Sequence, residues 1–397
     1  MKTNWQTKKL SEICDFYNGL WKGKEPPYIN VGVIRNTNFT KDGTLDDADI
    51  AYLPVEIKQF SKRKLDFGDI ILEKSGGGPK QPVGRVIIFD KKNGDYSFSN
   101  FTSAIRIKNS DEVDFNFLHK FLYFSYISGI TESMQSHSTG IRNLDLNKYK
   151  EIEISYPLLP EQKRIAKILD EAFEKLEKTK QNAEKNLNNS KELFEAYLQN
   201  IFANPKKDWK SKTLGDVCSL YQGIAINSKT RHALVEKSDL PLLRIKDLKS
   251  NTVEQYIDPN NYPVNALVNE DNIIYTRTGS LGLVFRGKRG VLHNNSFKVV
   301  PTAELSKDYF FIWLQNPIFK SKILDLAMRA AQPDITHAIF KLQQIDIPSL
   351  AEQKTIVKKL DQLSEQTKKL ESIYQSKLFA IEELKKSILR KAFCMEL

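Results

Sequence analysis

Cysteine is scarce in this chain. Cys14, Cys218 and Cys394 are the only three in 397 residues. The number is odd and no CxxC spacing occurs, which excludes a disulfide framework or a zinc site and fits a reduced intracellular protein. The five histidines (His119, His137, His232, His293 and His337) lack metal-ligand spacing, so no metal is expected. No run of about 18 apolar residues exists, and the opening Met1 to Gln6 has no apolar signal core. The expectation is a soluble, cytoplasmic protein with no membrane partner. Catalytic signatures are also missing. No nuclease-like acidic cluster is followed by Glu-x-Lys, and no glycine-rich cofactor fingerprint follows a strand. Ser75 to Arg85 is glycine-rich but lacks the Gly-Lys-Ser/Thr ending of a phosphate-cradling loop. No catalytic residue is assigned.

One further absence organises the chain. Glu161 to Ala203 contains neither glycine nor proline, and the same holds for Glu352 to Cys394, 191 positions later. Each run follows a similar entry: Pro157-Leu158-Leu159-Pro160-Glu161-Gln162-Lys163-Arg164-Ile165 and Pro348-Ser349-Leu350-Ala351-Glu352-Gln353-Lys354-Thr355-Ile356. Apolar residues step alternately by three and four along both. This predicts two helices of roughly 65 Å at 1.5 Å per residue, each with a narrow seam for one partner helix. The expected seam is Ile165, Leu169, Leu176, Leu193 and Tyr197 in the first helix. In the second it is Ile356, Leu360, Leu363, Leu370, Ile381 and Ile388. Pro160 suits a first turn, and Ser349 with Glu352 is a capping-box pattern.

The globular stretches repeat as well. Trp5, Leu10, Cys14, Tyr17 and Gly19 recur at Trp209, Leu214, Cys218, Tyr221 and Gly223, a constant offset of 204. Alternation predicts strands at Tyr28 to Ile34, Asp69 to Leu72, Val83 to Phe89, Ala104 to Ile107 and Glu151 to Ser155. In the second half it predicts Leu242 to Ile245, Asn272 to Thr276, Leu283 to Arg286 and Phe297 to Val300. Phe117 to Leu122 and Tyr309 to Leu314 read as buried short helices. The fold class is therefore α+β, a tandem duplication with pseudo-two-fold character. Two strand-rich domains (1–157 and 205–348) alternate with two long helices (158–204 and 349–397), each with a seam for a partner helix.

The net charge is +11. The first long helix is neutral, with eight basic and eight acidic residues, and the second has ten and six. Most of the excess therefore lies in the globular parts, which points to a polyanion. The donor-rich loops after the central strands supply DNA-contact candidates Lys74, Lys80, Gln81 and Arg85, with Arg277, Thr278 and Ser280 in the same place in the second half. Basic patches add Lys62, Arg63 and Lys64, and Arg286 and Arg289. Asn294 and Asn295, like Asn100, are amides able to read base edges.

Two resemblances follow from these residues. Glu25-Pro26-Pro27-Tyr28 resembles the Asn/Asp-Pro-Pro-Tyr loop of adenine-N6 methyltransferases, but it lacks the upstream cofactor fingerprint and reads better as a proline-fixed turn. The duplicated entry motif, together with the paired Trp5-to-Gly19 and Trp209-to-Gly223 openings, resembles the specificity (S) subunit of type I restriction–modification systems over essentially the whole chain. The resemblance implies a non-catalytic subunit whose two target recognition domains each read one half of a split, asymmetric double-stranded DNA sequence. It also implies that the two long helices pair with each other as an antiparallel coiled coil that sets the unread spacer. It further implies two methyltransferase subunits, which bring S-adenosylmethionine and adenine-N6 chemistry. Restriction subunits would bring ATP- and Mg-dependent translocation and cleavage. Half-sites about one helical turn apart suit separated domains on one DNA face. The alternatives are a related fused or type II-like recognition subunit, a non-DNA coiled-coil scaffold, and a stand-alone methyltransferase using Glu25 to Tyr28.

Overall fold

The structure is a computed structural model that describes residues 5–21, 25–78, 81–138, 141–329 and 332–394. The chain forms two compact units, 1–183 with 376–397, and 184–375. Each contains one strand-rich domain and one end of each long helix.

In the first unit a four-stranded antiparallel sheet runs in the order Cys14–Asn18, Thr102–Ile107, Ile70–Glu73, Val86–Ile88. The residues Ile70, Ile71 and Leu72 are fully enclosed, because the helix Phe115–Ile127 covers one face and a second sheet packs near the other. That second sheet places Tyr28–Ile34 between Ala51–Glu56 and Tyr96–Phe98. The second unit repeats the main sheet as Cys218–Gln222, Ser296–Pro301, Ile273–Thr276, Val284–Phe285. The expected strands are present to within a few residues, with one correction: after Leu242–Leu243 the chain turns at Ile245 into a short helix, Ile245–Ser250. There Asp247 accepts from the Arg244 N–H at 3.1 Å and its guanidinium at 2.7 Å, tying down the helix start.

Each domain closes on itself. Gln6–Lys9 pairs with Glu153–Tyr156, and Lys210–Thr213 pairs with Gln344–Ile347, so the chain leaves each domain beside the place it entered. The long helices Leu159–Ala203 and Leu350–Phe393 start immediately afterwards. The entry motif then has a structural explanation. Gln162 is fully buried; its oxygen accepts from Asp114 N (2.9 Å), and its amide donates to the carbonyls of Glu112 (2.9 Å) and Pro157 (2.8 Å). Gln353, equally buried, accepts from Ser306 N (2.8 Å) and donates to the carbonyls of Glu304 (2.9 Å) and Pro348 (3.0 Å). One amide thus satisfies three backbone groups that would otherwise be stranded where domain and helix meet. Of the capping box, one arm is made: Ser349 Oγ accepts from Glu352 N at 3.3 Å, while the Glu352 carboxylate goes to Lys206.

The helices pair antiparallel in each unit. In the first, Ile165, Ala166 and Leu169 share a core with Leu389 and Ala392; in the second, Leu198 shares one with Ile356 and Leu360. Five seam residues are buried as expected: Ile165, Leu169, Ile356, Leu360 and Ile381. Leu176, Leu363 and Ile388 are half-buried. Leu193, Tyr197 and Leu370 are exposed and do not belong to the seam. The reason is phase. A strict three-four alternation has a period of 3.5, whereas a straight helix drifts by about 20° per heptad against it. Near the helix ends the buried side therefore advances by one residue: Phe194 and Leu198 pack where Leu193 and Tyr197 were expected, and Lys385 and Leu389 are buried beside the half-buried Ile388. Lys385 is accommodated by Asp42 at 2.7 Å and by the faces of Tyr123 and Phe173, each centred 5.0 Å from its ammonium.

Candidate nucleic-acid interface

The two main sheets end in the same construction. In the first unit the strand Ile70–Glu73 runs out at Lys74. The N–H groups of Lys74 and Ser75 both donate to the Phe101 carbonyl (3.0 and 3.1 Å), and the Lys74 carbonyl accepts from Leu144 N (2.8 Å). The ammonium donates to Asn18 Oδ1 at 2.7 Å. In the second unit the strand Ile273–Thr276 runs out at Arg277. The N–H groups of Arg277 and Thr278 donate to the Asn295 carbonyl (2.8 and 3.4 Å), and the Arg277 carbonyl accepts from Ile335 N (3.0 Å). Its guanidinium donates through Nη1 to Gln222 Oε1 at 3.2 Å. Asn18 and Gln222 each end the first strand of their sheet. A long cation is therefore fixed at the sheet end in both units, steadied by a side-chain amide. Partial burial lowers the Lys74 pKa from its ordinary value.

The glycine that follows each amide is required by a close approach. A Cβ on Gly19 would lie 1.8 Å from the Ser99 carbonyl oxygen, and one on Gly223 would lie 2.3 Å from that of His293. The chain there runs against the turn that carries Phe101 or Asn295, with Leu20 N bonded to Phe98 O (2.8 Å) and Ile224 N to Leu292 O (2.7 Å).

Around these matched points the loops diverge. In the first unit the loop after Lys74 returns at Gly84, and Ser75–Gly77 joins a sheet with Ile141–Leu144 and Gln135–Ser138. The shorter loop after Arg277 returns at Gly282. Arg277 also pairs with Asp334, Nε donating to Oδ1 at 2.9 Å and Nη2 to Oδ2.

The other expected contacts sort by what they touch. Arg85 is corrected: its guanidinium donates to buried Glu73 (2.7 and 2.9 Å) and to the Phe39 and Asn36 carbonyls (3.1 and 3.2 Å), leaving 12% of the side chain exposed. It is an internal strut, and Gln81, with its oxygen turned to that guanidinium at 2.9 Å, serves it. Arg63 also acts inward, donating to the Asn18 and Gly19 carbonyls at 3.0 and 3.2 Å, where it fixes the bend beside Lys74. Lys64 pairs with Asp95 at 2.9 Å, and Arg286 with Asp308. Ser280 accepts from Lys249 at 2.8 Å. Lys62 and Arg289 are exposed, Arg289 beside Lys298, Asn269 and Asn272. Thr278 is half-buried. Asn294 and Asn295 hold Gln222 and Arg277 through their backbone carbonyls. Lys80 lies outside the described residues. Asn18, Gln222 and Asp334 were missed, although Asn18 and Gln222 directly precede the repeated glycines. Glu25 to Tyr28 leads into the central strand of the second sheet, with Tyr28 opposite Glu56. Asn100 borders a hollow lined by Leu20, Trp21, Tyr28, Arg35 and Leu53.

The fold is repeated with a cation at each sheet end, and no cluster of metal-ligating groups occurs among the described residues. Residues 2–185 and 206–377 each match the family described as Type I restriction modification DNA specificity domain. The chain belongs to that family. It is 26% identical to the type I restriction enzyme EcoKI specificity subunit of Escherichia coli K12, over 99% of this chain and 89% of that one. It is 23% identical to the putative MjaX specificity subunit of Methanocaldococcus jannaschii, over 97% and 92%. The fold is shared with a chain of a type I restriction–modification assembly (TM-score 0.78, 18% identity, all of both chains). It is also shared with the HsdS subunit of Thermoanaerobacter tengcongensis (TM-score 0.64, 16% identity, 100% and 98%). As a specificity subunit the chain recognises DNA sequence and does not itself catalyse a reaction. Among its described residues no helix is long and apolar enough to cross a membrane.

Proposed function

We propose that the domains at 1–157 and 205–348 each read one half of a bipartite, asymmetric DNA target in the cytoplasm, while the helices at 158–204 and 349–397 fix the spacer. Two methyltransferase subunits dock on this frame and carry S-adenosylmethionine; restriction subunits carry the ATP- and Mg-dependent steps. The observation that carries the reading is the matched placement of Lys74 and Arg277, on identical backbone hydrogen bonds at the ends of equivalent sheets, inside loops that differ. Equal placement suits one docking geometry, and unequal loops suit two different half-sites. With the methyltransferase subunits bound, affinity for target DNA should fall steeply with salt, and replacing Lys74 and Arg277 together by alanine should weaken it. A complex whose DNA affinity ignores both would favour the coiled-coil scaffold.

A further inference from the structure

The environment of Arg277 goes beyond a general DNA contact. A guanidinium has five N–H donors in a planar fork. Here Nε–H and one Nη2 hydrogen are taken by the Asp334 carboxylate, and one Nη1 hydrogen by Gln222 Oε1. One donor remains on each terminal nitrogen. The backbone on both sides of the side chain is pinned, through Arg277 N to Asn295 and Arg277 O to Ile335. The head is thus held in plane by two partners on different segments, and 23% of the side chain remains accessible.

A paired acceptor is what such a fork fits. In the major groove, guanine alone presents two adjacent acceptors, O6 and N7. We infer that Arg277 reads a guanine in the half-site of the second unit, with Asp334 and Gln222 as positioning residues that hold the fork in plane. In the first unit the matched Lys74 is steadied, among the described residues, by an amide, Asn18. The cation recurs and the acid does not, so Asp334 serves what is particular to this half-site. Lys74 is a point donor without a fork and imposes a weaker base preference.

The inference rests on the two-domain recognition reading, and the test separates the two. The chain is expressed with its methyltransferase in a host free of N6-methyladenine, and methylated sites are mapped for wild type, Arg277→Ala, Arg277→Gln and Asp334→Ala. The expected result is a split wild-type motif containing a guanine whose requirement relaxes roughly 5- to 100-fold in Arg277→Ala, with the other half unchanged. Asp334→Ala relaxes the same position to a smaller degree. Arg277→Gln shifts it toward adenine, which Gln matches through N6 and N7, and this variant decides the matter if the alanine chain gives no methylation. An unchanged motif, or uniformly weaker methylation at every site, would overturn the guanine assignment and make Arg277 a structural or phosphate-binding residue. No wild-type motif at all would overturn the recognition reading itself.

Discussion

Replacing Gln353 by methionine tests whether one buried amide really joins domain and helix. Methionine has nearly the same length and volume, so cavity and overpacking effects stay small. The change strands the Ser306 N–H and the carbonyls of Glu304 and Pro348, bonded at 2.8, 2.9 and 3.0 Å to a side chain with no exposure. Each stranded group costs about 1–3 kcal/mol, so the loss is at least about 3 kcal/mol. That is a large part of the 5–15 kcal/mol typical of a whole domain, and for about 150 residues it lowers the melting temperature by roughly 6–12 °C. Hydrogen exchange read by mass spectrometry should show the loss in 304–306 and in the first turns of the second long helix. Protection in 112–165 should be retained. Gln162→Met should give the mirror image. A shift under about 1 kcal/mol, or loss of protection spread evenly over both units, would refute the reasoning.

Four other outcomes follow. Gly19→Ala and Gly223→Ala should each destabilise their unit by about 3 kcal/mol or more, because the added carbon would overlap a backbone oxygen; a melting temperature within 2 °C of wild type would contradict this. Glu73→Ala leaves the Arg85 guanidinium uncompensated and should cost about 3–5 kcal/mol in urea unfolding while leaving the methylated motif intact. His119 is enclosed, and that burial, with Lys120 nearby, pushes its imidazole down to about 3. The folded value lies below the unfolded value of about 6.5, so its contribution is complete above pH 6.5 and is lost as pH falls, by about 2 kcal/mol at pH 5. His119→Gln should flatten the stability profile of the first unit between pH 6.5 and 4; an unaltered slope would place the acid sensitivity elsewhere.

The architecture was legible because duplication doubled every signal. The missing glycine and proline marked both long helices, and the Trp5-to-Gly19 match located equivalent strands and the crowded glycines. The entry motif was visible as a pattern, but its cause was not: nothing in sequence says that Gln162 and Gln353 turn inward to bond three backbone groups. Seam residues Leu193, Tyr197 and Leu370 were misplaced because heptad counting holds a period that a straight helix does not keep. The donor-rich loops contained Lys74 and Arg277, which the structure places at equivalent sheet ends. The same chemistry suggested Arg85, whose partner Glu73 lies 12 residues away at the end of the neighbouring strand and draws it inward. Charge pairing across the fold decides which cations face out. For Asp334, 57 residues from Arg277, no local pattern gave a cue.

The central claim is that this chain supplies sequence recognition to a methyltransferase. The most direct measurement maps N6-methyladenine in a host carrying the gene with its neighbouring methyltransferase, and in a host lacking this gene alone. The account predicts a split, asymmetric motif that disappears with the gene. Identical maps from an active methyltransferase and a soluble chain would contradict it.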